Sequence, residues 1–460
     1  MTNKSQYDIL GGPVLPSLVR MALPASIGFF FNTMYNVVDT YWAGTLSTEA
    51  LAGLSLSFPL YGVLLAIAVG TSSGSNALIA NYLGAGKEQE SRIILAQSLS
   101  FGAIFTFVLG VPLFFALRPI LGFLGGGSQA QEAALAYTQI IIAGGIFFVL
   151  NQVWNSGLQA RGDTKTFRNI LIISFLVNVG LDPLLMFGWS PAGITIIPSM
   201  GVRGIALATV LVQAGGIFYI ARRGKVLGIL KNVSLRDFIP QRERFREILG
   251  QALPGMLSFL TMAAGTFVIT GYVGRFGTAA VAGYGAAIRI EQIALIPTIG
   301  LNIALATMVG QSNGAGKIER IRQSYRVTLL LGLGIFLTLY PFIFLFGYRL
   351  IGVFNSDPGV MSVGTSYLRI QGITFYSYVI LFQANSILQG LKKPGAIFWI
   401  GLYRQLGAPL GVFTLFAFTL GLGVVGVWWG LAVVNWSAGV FTWWWSWRLI
   451  RQREVLGNSG

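Results

Sequence analysis

The sequence predicts an all-α polytopic membrane protein, with twelve transmembrane helices arranged as two parallel six-helix repeats. Three observations predict it. Of the residues, 54% are hydrophobic and only 10% charged, with a mean hydropathy of +0.70. Apolar runs of about twenty residues, the length that crosses a bilayer, recur along the chain. The chain also matches itself at an offset of 230 positions, as Ala22 on Ala252 illustrates. An aqueous fold has no means of burying so much apolar surface.

Reading apolar runs between polar breaks places spans 1 to 12 near 17–43, 51–80, 92–117, 132–160, 167–188, 202–221, 247–273, 278–311, 326–346, 360–390, 395–418 and 422–447. Several exceed the bilayer length, which leaves room for tilt or bends. The opening residues, MTNKSQYDILGGPVLPSLVRM, carry acids and prolines and no cleavage-site pattern behind a short apolar core. Span 1 is therefore expected to stay in the protein rather than act as a removable signal peptide.

Basic residues test the count. With both termini in the cytoplasm, the outer loops hold only Arg118, Arg203, Arg275 and Arg349 of the 31 Lys and Arg, while Arg289, Arg369 and Arg404 fall inside spans. The rest lie on the inner side, which is the positive-inside bias of a cell (plasma or inner) membrane protein. The net charge of +16 is scattered along one membrane face with no nucleic-acid module, so nucleic acid is not the expected partner. The chain has no Cys and no His, which removes disulfides, thiolate and imidazole catalysis and the usual zinc sites. An enzyme is not expected.

At the 230-residue offset Ala22-Leu23-Pro24 falls on Ala252-Leu253-Pro254, Gly44 on Gly274, Ala52-Gly53 on Ala282-Gly283, LGAGK (83–87) on NGAGK (313–317) and Leu158-Gln159 on Leu388-Gln389. After a shift of eight residues GVRG (201–204) matches GVVG (423–426). Each half has six spans, so the repeats are parallel, which is a transporter architecture. The expected domains are an N-terminal lobe, 1–225, and a C-terminal lobe, 226–460, joined by the cytoplasmic linker 222–246. That linker is rich in Arg and Lys, and orientation and lipid contact are its expected roles. LGAGK is not a phosphate-binding loop, because Asn81 and Gln311 stand where its first Gly belongs and Glu88 and Ile318 follow the Lys.

Three of the fifteen acids fall inside spans: Asp39, Asp182 and Glu291. A charge at mid-membrane depth costs roughly 2.5–3.5 kcal/mol or more, so each is a candidate for an ion or proton path. Asp39 lies roughly 28 Å along span 1 from Arg20, Asp182 roughly 21 Å along span 5 from Arg168, and Thr209 roughly 10 Å into span 6, at 1.5 Å per residue. These positions share one outer layer. Asn32, Tyr35, Asn36 and Asp39 follow an i, i+3, i+4, i+7 spacing on span 1. Asn178 with Asp182 and Asn151 with Asn155 are i, i+4 pairs. The N-terminal lobe is thus expected to hold a polar cavity. Glu291 follows Arg289 closely and is expected to be neutralised by it, in a structural role. The tryptophans of FTWWWSWRLI read as an interfacial belt.

The duplicated halves, the ALP at the head of each, the span 1 Asp, the NxxxDP of span 5 (Asn178, Asp182, Pro183) and the GxxGxALAT of span 6 together resemble the multidrug and toxic compound extrusion (MATE) transporters, most of all their DinF-like branch. The resemblance covers nearly the whole chain. It implies the MATE fold and a cation-coupling network in the N-terminal lobe, carried over to Asp39, Asn178 and Asp182 with Thr209 as companion. Spans 7 (LPGMLSFLTMAAGTFVITGYVG) and 10 lack the acids by which the NorM-like branch binds cations in its C-terminal lobe.

The implied function is export of lipophilic, mostly cationic compounds by proton-coupled antiport with alternating access. Asn32, Tyr35, Asn36, Tyr137, Asn151 and Asn155 would line the substrate cavity, and span 1 would bend at Pro24, whose ring removes a backbone hydrogen bond. The oxygens of Asp39, Asn178, Asp182 and Thr209 also suit Na+ as the coupling ion. A monomer working without a cofactor, in contact with membrane lipids, is expected. A lipid-linked oligosaccharide flippase, a lipid-modifying enzyme and a channel are the weaker rivals. The three span arginines leave anionic substrates open.

Overall fold

A computed structural model of the chain describes residues 8–125, 127–191 and 194–458. Its helices are α1 Val14–Leu46, α2 Thr48–Gly84, α3 Glu88–Leu124, α4 Ser128–Ala143, α5 Gly145–Gln159, α6 Lys165–Phe187, α7 Val202–Val226, α8 Arg242–Gly274, α9 Thr278–Gly314, α10 Ile318–Gly352, α11 Pro358–Gly390, α12 Gly395–Leu402, α13 Ala408–Phe413 and α14 Gly423–Asn458. Among the described residues the only β pairing is an isolated bridge, Trp189 to Ile197.

These helices form the twelve expected rods. By length and apolarity nine single helices qualify as membrane spans, and α4 with α5, bent by 48°, makes a tenth. The eleventh is α11, whose hydropathy is diluted by buried Gln371, Thr374, Ser377, Gln383 and Ser386. The twelfth is α12 with α13, joined and followed by the π-helical turns Tyr403–Gly407 and Thr414–Thr419. Such turns interrupt the regular ladder and often mark functional positions.

The duplication extends to backbone detail. Helices α2 and α9 begin and end 230 residues apart, and the turns that follow are alike: Gly86 has φ 71° and Gly316 φ 70°. Lys87 N donates to Tyr82 O at 2.9 Å, and Lys317 N to Ser312 O at 2.8 Å. Close helix approach repeats too. A Cβ on Gly53 would lie 3.1 Å from Ala130 O, and one on Gly283 2.8 Å from Val360 O. Glycine at both positions lets the neighbouring helix touch backbone, the small-residue packing expected in lipid.

Contacts group the chain into two compact units. The N-terminal unit holds Ile27–Leu83 and Lys87–Met256; the C-terminal unit holds the chain up to Ser26, Gly84–Gly86 and everything from Leu257. The divisions fall inside α1, just after Pro24, and inside α8, just after Pro254, again 230 residues apart. The N-terminal core joins Leu78, Leu95, Phe101, Val153 and Ile170 with Ile248, Ala252 and Met256 of α8. In the C-terminal unit Tyr284, Tyr367, Phe375, Phe413 and Trp428 form one core, and Leu18, Met21 and Ala22 of α1 pack on Leu301, Ala304 and Met308 in another.

The linker is more ordered than a lipid-facing tether. Its 3-10 turn, Leu235–Phe238, is held by α3: Gln97 donates to Ile239 O at 2.8 Å and Ser100 to Phe238 O at 2.7 Å, while Gln241 N donates back to Gln97 Oε1 at 3.0 Å. Its backbone thus has partners before α8 begins, as a tightly packed segment requires.

Candidate functional site

The site lies in the N-terminal unit, where α1, α6 and α7 meet. Helices α1 and α6 run in parallel. Gly28 admits α6 so closely that a Cβ there would lie 3.2 Å from Arg168 Cα, and higher up Phe31 packs on Phe175 and Trp42 on Phe187. Helices α6 and α7 are tied by their loop. Met200 N donates to Leu185 O at 3.1 Å and Gly201 N to Met186 O at 3.0 Å, which caps the last turn of α6. Gly204 then lets α7 approach Leu185 to a distance that a Cβ would reduce to 2.6 Å.

This scaffold sets the register of the acids. Asp39, Asp182 and Thr209 each lie five to seven residues from the helix end on the same side, roughly 8–11 Å deep at 1.5 Å per residue. All three are buried, with Asp182 and Asn178 at 0% exposure. Asn178 Nδ2 donates to Asp182 Oδ1 at 2.8 Å, and the Thr209 hydroxyl donates to Asp39 Oδ2 at 3.4 Å. Asp182 and Asn178 stand within interaction range of Asp39. Asp39 Oδ1, Asp182 Oδ2, Asn178 Oδ1 and the Tyr35 hydroxyl are buried without a hydrogen-bond partner. With both carboxylates ionised, three of these four atoms can only accept. A buried acceptor left unpaired is costly, so the cluster calls for a donor or a cation.

The structure sorts the other expected residues. Tyr35 and Tyr137 lie within electrostatic range of both acids. Asn32 is half-buried on α1. Asn36 is exposed and donates to Asn32 O of its own helix at 2.9 Å, so it does not join the cluster. Asn151 is buried but donates to Gln213 Oε1 at 2.9 Å, a turn beyond Thr209 on α7; Asn155 is buried with its carbonyl oxygen unpaired and makes no hydrogen bond to the acids. Pro24 lies within α1, which continues through it as one helix. Two residues went unread in the sequence: Tyr61 of α2, which faces Asp39 electrostatically, and Gln213. One tyrosine in SFPLYG and a lone amide in span 6 were their only signals.

Among the described residues no three His, Cys, Asp or Glu gather into a metal site. Two carboxylates with an amide and a hydroxyl fit a proton or one monovalent cation in oxygen coordination.

Glu291 departs from expectation. Arg289 is exposed and, among the described residues, makes no ion pair with it. Two positions apart on a helix, the side chains point to different faces. Glu291 instead accepts from the Tyr367 hydroxyl and faces Tyr378 and Arg404. Arg404 lies over the Tyr378 ring at 5.7 Å and donates to Asn435 at 3.1 Å, and Asn435 donates to the Tyr378 hydroxyl at 3.1 Å. Arg369 lies over the Phe344 ring at 5.4 Å.

Comparison with known proteins agrees with this architecture. The sequence pattern of the MatE family matches twice, at residues 24–184 and 254–424, once per repeat. The chain is 28% identical over 423 residues to the probable multidrug resistance protein NorM of Thermotoga maritima, covering 90% of this chain and 88% of that protein. It is 26% identical to the FAD transporter of Shewanella oneidensis, covering 95% of each. Among solved structures, a MOP superfamily transporter from Pyrococcus furiosus superposes with a TM-score of 0.89 at 25% identity, over 98% of this chain and 99% of that one. With both repeats matched and the twelve-rod duplicated fold shared, the chain belongs to the MatE family of multi-pass membrane transporters.

Proposed function

We propose that the chain is a secondary active exporter of lipophilic, mostly cationic drugs, driven by cation entry at the Asp39–Asp182 cluster. The observation that carries this reading is the set of buried, unpaired acceptor oxygens on Asp39, Asp182 and Asn178. Two ionised carboxylates in one water-poor site repel each other, and a proton or a monovalent cation relieves that repulsion. Protonation from outside neutralises Asp39, its bonds to Thr209 and the α6 pair rearrange, and α1 bends at Pro24, where the missing N–H weakens the helix. The substrate space beside the acids shrinks and the drug leaves; rocking of the repeats then reopens the cytoplasmic side. Tyr35 and Tyr137 offer ring faces to flat cations. Both termini lie in the cytoplasm and the protein resides in the cell membrane, as the basic-residue bias supports. The absence of acids in α11 and in the membrane part of α8 favours the DinF-like branch.

Dye efflux from proteoliposomes under separately imposed proton and sodium gradients tests this. An inward proton gradient drives export in wild type; export driven by sodium alone assigns the same oxygens to Na+. No response to either gradient defeats the coupling scheme. A second reading, export of anionic compounds, is favoured by the relative named for FAD transport. Competition of the dye by an anionic flavin nucleotide separates the two.

A further inference from the structure

Where α10 and α14 cross, the C-terminal unit holds a cavity of about 830 Å³ lined by Arg326, Trp443, Trp444, Trp447, Arg448 and Arg451, with Gln452 and Val455 at its edge. Two contacts build it. Arg322 of α10 pairs with Glu454 of α14, and Tyr325 packs on Trp447 with ring centroids 5.4 Å apart. The indoles then hold the guanidinium groups: Arg326 lies over Trp447 at 5.5 Å, and Arg448 over Trp444 and Trp445 at 5.6 Å each.

The charge is unbalanced. The nearby acids, Glu319 and Glu454, both pair with Arg322. Among the described residues none of the three lining arginines pairs with a carboxylate. Three guanidinium groups around one cavity ask for an anion with several oxygens, a demand that a phosphate group meets through forked arginine hydrogen bonds. The exposed faces of Trp443 and Trp444, at the end of an apolar rod, supply the apolar side at headgroup level.

We infer that this cavity is a binding site for an anionic phospholipid, its headgroup phosphate among Arg326, Arg448 and Arg451 and its chains along the tryptophans. The site lies in the C-terminal unit, apart from Asp39, and does not depend on the coupling scheme.

Native mass spectrometry of the purified full-length protein, titrated with phosphatidylglycerol, phosphatidylcholine or inorganic phosphate, tests it. Phosphatidylglycerol should bind in preference to phosphatidylcholine. Each of Arg448→Gln and Arg451→Gln should weaken it about fivefold, the effect of one basic residue at an anionic surface. Arg203→Gln, an exposed arginine at the end of α7 in the other unit, should leave binding unchanged. Trp447→Phe shrinks the ring that carries Arg326 and should lower affinity as well, and an unchanged melting temperature of the arginine variants guards against misfolding. Equal binding of the two lipids, or unchanged binding in both arginine variants, overturns the inference. Saturation by inorganic phosphate with no lipid preference overturns the lipid assignment in favour of a free-phosphate site.

Discussion

In the N-terminal unit two carboxylates, Asp39 and Asp182, share one buried layer with an amide and a hydroxyl, and among the described residues no cationic side chain pairs with them. The C-terminal unit, built from the same repeat, holds one half-buried carboxylate within its spans, Glu291, against two tyrosine hydroxyls with Arg404 beside it. The helices are duplicates, yet the charges are not. A site whose charge is already balanced by protein has little need of an ion. One that lacks a counter-charge depends on whatever cation enters, so its arrangement changes with occupancy. The helices around the acids differ in the same sense. The α4–α5 rod bends by 48° at Gly144, where a Cβ would lie 2.4 Å from Val210, whereas α11, with Thr374 at the matching position, runs unbroken.

The largest test of this contrast is Asp39→Asn. It removes the exchangeable charge and should reduce proton-driven dye efflux in proteoliposomes by at least tenfold, the scale of a lost proton-transfer group. A wild-type rate would break the comparison. Next come substitutions that should act alike in both units, because they test the shared scaffold. A Cβ at Gly204 would approach the Leu185 backbone to 2.6 Å, and one at Gly426 the Phe416 backbone to 2.6 Å. Gly204→Ala and Gly426→Ala should each cost about 1–3 kcal/mol, read as a lowered melting temperature in detergent. A loss in only one of them would show that the repeats pack by different rules.

Glu291→Gln should matter less for coupling. The amide can still accept from Tyr367, so the transport rate should fall by a few fold while proton dependence persists; loss of proton dependence would give the C-terminal acid the role assigned to Asp39. The smallest effect belongs to Thr209→Val. Its hydrogen bond to Asp39 is long, 3.4 Å, and a neutral donor of this kind contributes about 0.5–1.5 kcal/mol. Half-maximal efflux should shift in external pH by about one unit at most, and a complete loss of transport would make Thr209 a ligand in its own right.

Much of this was legible in the residues. Asp39 and Asp182 announced themselves because an acid in an apolar run is expensive and therefore rare, and the i, i+4 spacing already joined Asn178 to Asp182. Tyr61 and Gln213 gave no such signal, since one hydroxyl or amide in a span is cheap and common. The pairing of Glu291 was misread for a related reason. Sequence proximity favoured Arg289, but helical rotation turns that side chain outward and a π-helical turn brings Arg404 in. Asn36 shared a spacing with Asp39 and still lies on the exposed side, because a spacing defines a stripe on α1 without saying how much of it the neighbouring helices cover.

By itself the sequence determined the number of rods, their duplication and the presence of uncompensated acid in the first repeat, because hydropathy, a fixed offset and charge rarity are properties of the chain read in one dimension. Only the tertiary structure decided which oxygens are left without partners, where α4 gives way to α5, how the linker is strapped to α3, and which arginines face an acid and which line a cavity. Those outcomes depend on helix rotation and close approach, set by many side chains packing at once, and no single stretch of residues encodes them.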